Sequence, residues 1–155
     1  MGMSTIKLVL GTDIGTILAK IRAKGMQIGN NASDIINRPA FTISPSAVHI
    51  SLTIRSVAEL GFHGRANFEQ ICMVAGAVGL SKCPAEVGPL FRLNYPEQPR
   101  GEWLVVAMDG IVDSQGEPRM FLIGHNDCGR WLVADHGYAP HMYGNTKKFV
   151  FAVSR

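Results

Sequence analysis

Across residues 81–121 apolar runs alternate with short polar connections built from Pro, Gly, Gln, Asp and Ser. That is the pattern of strands joined by tight turns. It predicts strands over 90–95, 102–112, 119–123, 130–134 and 148–153. The stretch Trp103-Leu104-Val105-Val106-Ala107-Met108 is apolar at every position. A strand of that kind is covered on both faces. It is therefore expected at the sheet centre, one face against helices and the other against more protein or a partner subunit.

Upstream, residues 7–10 are expected to form a short first strand. Thr12 or Asp13 then precedes Ile14, Ile17, Leu18 and Ile21 at helical spacing, and Gly25 is placed to end that helix. Residues 26–46 are expected to be mostly irregular, with one helical turn from Ser33 through Asn37, ended by Pro39. Residues 47–55 alternate cleanly, with Val48, Ile50, Leu52 and Ile54 on one side. Asn67 followed by Gln70 is a capping-box pair opening a second helix that carries Phe68, Ile71, Cys72 and Ala75 on one face. Pro84 suits one further turn over 84–87. The expectation is one α+β domain over residues 1–155: two helices packed on an antiparallel sheet of five or six strands.

Composition narrows the function classes. The chain has 155 residues, 46% apolar and 17% charged. The low charged fraction leaves apolar surface to cover, which together with the central strand suggests a homodimer. The net charge is +3, with 6 Lys/Arg against 3 Asp/Glu in residues 1–60, 5 against 7 in 61–119, and 4 against 2 in 120–155. No segment concentrates a basic stripe, which argues against nucleic acid as the partner. The longest apolar run, 71–80, is far short of the roughly 20 residues of a membrane span. Only three apolar residues follow Lys7, too few for a secretory leader. Three unpaired-looking cysteines, Cys72, Cys83 and Cys128, fit a reducing cytoplasm better than a disulfide framework.

Four groups of residues could carry chemistry. His125, Cys128, His136 and His141 are of zinc-ligand type, but their order H-x2-C-x7-H-x4-H matches no standard zinc-finger spacing. Zinc is thus a possible cofactor with no motif behind it. Cys83, before Pro84 and near Glu86, is a candidate thiol nucleophile, set against the tendency of cysteine to be buried as a small hydrophobe. Glu102, Asp109, Asp113 and Glu117 could pair as carboxylates, although Asp113-Ser114-Gln115-Gly116 reads better as a hairpin turn. Gly11-Thr12-Asp13-Ile14-Gly15 lacks the third glycine and the lysine of a phosphate loop. Finally, Tyr138, His141 and Tyr143, with His136 at their start, sit in a connection over 135–147 longer than the fold requires. Long loops of this kind often carry function, which makes these four residues the expected binding site.

The segments VAELGF, CPAEVGP and RLNYPEQPRGEWLVVAM, between Val57 and Met108, carry one further signal. With them the chain resembles small uncharacterised bacterial proteins that share an ELGF…CPAEVGP…GEWL core, over about the C-terminal two-thirds. The resemblance implies a bacterial or mobile-element origin and assigns no site. The expected function is a non-enzymatic binding or interaction module for a protein or small-molecule ligand. The alternative is a small metal-dependent or thiol hydrolase.

Overall fold

The structure, a computed structural model, describes residues 5–137 and 140–154. Tyr138, one of the expected site residues, lies outside them. Strand β1 (Ile6–Leu10) leads into helix α1 (Ile14–Ala23), which Asp13 caps by accepting the Thr16 N–H at 3.1 Å. Then come β2 (Gln27–Ile28), α2 (Asn30–Ile36), β3 (Val48–Ser56), a 3-10 turn (Ala58–Leu60) and β4 (Ala66–Asn67). Helix α3 (Phe68–Ala77) opens on the full capping box: Asn67 Oδ1 accepts from Gln70 N and Gln70 Oε1 from Asn67 N. Such a cap is worth about 1 kcal/mol. The chain continues through β5 (Leu80–Ser81), α4 (Val87–Leu93), β6 (Trp103–Val106), β7 (Ile111–Val112), β8 (Pro118–Asn126), β9 (Gly129–His136), β10 (Met142–Tyr143) and β11 (Lys148–Val153).

The α+β class holds, but the expected two helices on an antiparallel sheet of five or six strands do not. Among the described residues, four helices accompany a nine-stranded mixed sheet and a separate two-stranded ribbon of β4 and β10. The main path runs β1-β3-β11-β6-β8-β9-β2, with β5 and β7 attached to β11 and β8. Two pairings are parallel, β11 with β6 and β2 with β9. Both join segments distant in sequence, so no local alternation could reveal their direction.

A second correction concerns residues 90–95. They belong mainly to α4, not to a strand. All seven residues of α4 are buried, so no polar face interrupts the apolar run and its period is hidden. Pro89 sits in the first turn, where no intrahelical N–H is lost. The long 102–112 strand is also broken, into β6 and β7, across the 107–110 segment.

Strand β6 does occupy the middle of the main path, and residues Leu104 to Met108 are no more than 5% exposed. The strand register assigns the two faces. On one, Leu52, Val150, Leu104, Ile123 and Leu132 look toward the helices. There α1 packs on α4, α4 on β1, β8 and β9, and α2 on β9. On the other, Phe149, Val105, Leu122 and Val133 share a row. Phe149 is fully buried there beneath Phe68 at 6.0 Å and Tyr143 at 5.0 Å. Burying such a ring contributes about 1.5–3 kcal/mol. The cover ends at β11 and β6, and Leu122 and Val133 beyond them are only partly buried.

Candidate functional site

The step where that cover ends forms a cavity of about 190 Å³. Its floor is Val105 of β6 with Met120 and Leu122 of β8. Asp135 and His136, at the end of β9, form one side. His141, Tyr143, Gly144 and Lys147 form the opposite side. Local chemistry holds this second wall in place. Ribbon β10 pairs with β4, so Tyr143 lies opposite Ala66. The turn that follows is closed by Lys147 N donating to Gly144 O at 3.1 Å, and it is tied to the core by Val57 N donating to Lys147 O at 2.9 Å.

Three of the four expected binding residues, His136, His141 and Tyr143, thus border one concavity. The His141 and Tyr143 rings meet edge to face at 4.5 Å. Burial pushes the Tyr143 phenol up to about 12, with Asp135 adding to the effect, so it is a hydrogen-bond donor at neutral pH. Lys147 and Asp135 were not foreseen. Lys147 directly follows a Gly-Asn-Thr turn and looks like a solvated cation in sequence. In the fold it is partly buried, and desolvation lowers its pKa against the opposing pull of Asp135. A second, more open depression of about 300 Å³ shares Lys147 and is bounded by Glu102, Trp103 and Lys148. Trp103 lies flat over Gly124, where a Cβ would sit 1.9 Å from the indole.

The four residues of zinc-ligand type are not brought together. His125 and Cys128 lie at the turn end of the β8–β9 hairpin, where His125 pairs with Arg130. His136 pairs with Arg119 at the other end, six residues along each strand. At ~3.3 Å per residue the two ends are about 20 Å apart. His125 has a structural bond instead, its Nδ1 donating to Gln98 O at 2.8 Å. Among the described residues no three His, Cys, Asp or Glu side chains gather as ligands.

The remaining candidates serve the fold. Cys83 is 5% exposed, donates to Val150 O at 3.5 Å, and burial pushes its thiol up to about 12. Burial likewise pushes Cys72 up to about 11. Both are protonated at neutral pH and therefore poor nucleophiles. Glu86 accepts the backbone N–H of Gly11 at 3.0 Å and of Ser44 at 2.8 Å, tying two loops to the start of α4. Asp113 does close the expected hairpin turn: its Oδ1 accepts from Gln115 N and Glu117 N, and its Oδ2 from Arg119 Nε at 2.7 Å. Those bonds, the Arg119 one foremost, hold its carboxyl down at about 2. Asp109 pairs with Lys82 and Glu102 with Lys148.

Arg92 is a further residue the apolar pattern passed over. It is fully buried and donates to Gln98 Oε1 at 2.6 Å, Tyr95 O at 2.6 Å, Gly124 O at 3.1 Å and Trp131 O at 3.3 Å. Burial lowers its pKa to about 10, with repulsion from Arg130 next. A cation inside PLFRLNY was the available signal, since an arginine in an apolar run must be buried with partners or point outward. Its bonds fasten the 95–102 connection to the β8–β9 hairpin.

No helix among the described residues is long and apolar enough to cross a membrane. No protein family, curated protein or solved structure matches this chain.

Proposed function

We propose that the protein is a non-enzymatic binding module whose ligand site is the cavity above Val105, Met120 and Leu122, and that the ligand is a small polar molecule. One observation carries this reading. Asp135 arrives from β9 on the face of Met120 and Leu122, His141, Tyr143 and Lys147 come from the far side of the connection, and they border one cavity with an apolar floor. A concave apolar surface ringed by a few convergent polar groups is the usual form of a small-molecule site. Its groups suit recognition: phenol and ammonium donors, imidazoles, and a carboxylate acceptor. The homodimer expectation rested on the low charged fraction and the all-apolar 103–108 run. Leu104 to Met108 are buried within one chain, so this reading calls for no second copy.

Amide chemical-shift mapping with a fragment library tests it. Binding should move the amides of 120–122, 135–136 and 141–147 together, and Tyr143→Ala should weaken every such hit. Fragments that bind only elsewhere, or hits indifferent to Tyr143, contradict it.

A further inference from the structure

Lys147 and Asp135 both line the cavity, and each acts on the pocket's electrostatics. They nevertheless form no ion pair within 4.0 Å. Asp135 Oδ1 instead accepts the His136 backbone N–H at 2.7 Å. Lys147 and Asp135 line a cavity of about 190 Å³, room for more than one water. Lys147 is tethered at both backbone groups, through Gly144 and Val57, and Asp135 is fixed by the β8 pairing opposite Met120. The backbone that carries each charge is therefore held in place on its side of the cavity.

A ligand with one charge would satisfy one of these groups and leave the other facing it unmatched. A ligand carrying both signs a few ångströms apart satisfies both. Resting on the binding reading above, we propose that the cavity takes a zwitterion of the free α-amino-acid class. Its carboxylate meets the Lys147 ammonium, and its ammonium meets the Asp135 carboxylate. An apolar side chain then lies on Val105, Met120 and Leu122. The Tyr143 hydroxyl, held protonated by burial, is available to donate to the same carboxylate. The partly desolvated Lys147 gains by acquiring an anion, because the ligand restores what burial withdrew.

Calorimetric titration with L-leucine, 4-methylpentanoate and 3-methylbutylamine separates the charges while keeping the side chain. L-leucine is expected to bind at least tenfold tighter than either single-charge analogue. The factor follows from one charge-assisted hydrogen bond, discounted for the exposure of Asp135. Asp135→Asn should cost L-leucine about tenfold and leave 4-methylpentanoate unchanged or tighter. Lys147→Gln should cost L-leucine a similar factor and spare 3-methylbutylamine. Asp135 is exposed and Lys147 half-buried, and circular dichroism checks that both variants fold. If 4-methylpentanoate matches L-leucine and Asp135→Asn is silent, the zwitterion inference is overturned while the binding reading stands. If no fragment or amino acid enters the cavity, both fall.

Discussion

Gly88, inside α4, offers a direct test of how that helix meets the sheet. A Cβ built there would lie 2.3 Å from Phe121 Cδ2, 2.5 Å from its Cγ and 2.9 Å from its Cβ. Ordinary Cβ contacts begin at 3.4 Å, so Gly88→Ala brings the methyl group more than an ångström too close. Phe121 has nowhere to go. It is fully buried, its ring meets Phe41 edge to face at 6.1 Å, and its register places it beside Ala134. Overpacking of this sort costs about 1–3 kcal/mol or more, offset by up to about 1 kcal/mol of helix propensity. The net expectation is a loss of about 2 kcal/mol, which for a chain of this size lowers Tm by about 4–8 °C. Gly76→Ala is the matched control: Gly76 is helical and exposed, and nothing lies within 4 Å of its added Cβ. It should stabilise by about 0.5–1 kcal/mol. Urea and thermal unfolding read both variants. A Gly88→Ala protein as stable as wild type would refute the close packing of α4 on Phe121.

Three other outcomes follow from the buried polar groups and the thiols. Arg92→Lys should lose about 3 kcal/mol or more in urea unfolding, because one ammonium cannot reach the four acceptors the guanidinium holds. Asp113 has a folded pKa of about 2, below its ordinary value of 3.8. Its stabilisation is therefore complete above about pH 4 and is lost as pH falls through about 2. The stability gap between wild type and Asp113→Asn should stay constant from pH 7 to 4 and close toward pH 2. Native protein treated with a thiol-disulfide reagent should show one fast cysteine, the exposed Cys128, with Cys72 and Cys83 reacting only on unfolding.

What the sequence revealed follows from which physical signals are local. The α1 stripe with its Asp13 cap, the Asn67–Gln70 capping box and the Asp113 turn all depend on residues within a few positions, and all appear as expected. Strand β3 forms where alternation predicts it, but its burial does not alternate: Leu52 and Thr53 are both buried and Val48 is exposed. The apolar run of β6 fixed its central place because only a strand covered on both sides has no polar alternation. The same reasoning misread α4, since a helix buried all round also has none. The parallel β11–β6 and β2–β9 pairings depend on contacts between segments far apart in sequence, so the sheet's mixed character was not legible. At the site, loop length pointed to His136, His141 and Tyr143, which the fold brings together. The zinc-type grouping of His125 and Cys128 with His136 and His141 had no such local signal, and the run of the β8–β9 hairpin places those two at its far end. Lys147 and Asp135 look like ordinary surface charges until the ribbon closes over the sheet.

The most direct measurement is a crystal structure of the protein grown with L-leucine. The expected result is the amino acid lying over Val105 and Leu122, its carboxylate on Lys147 and its ammonium on Asp135. An empty cavity with Lys147 and Asp135 closed into direct contact, or leucine bound only at another surface, would contradict it.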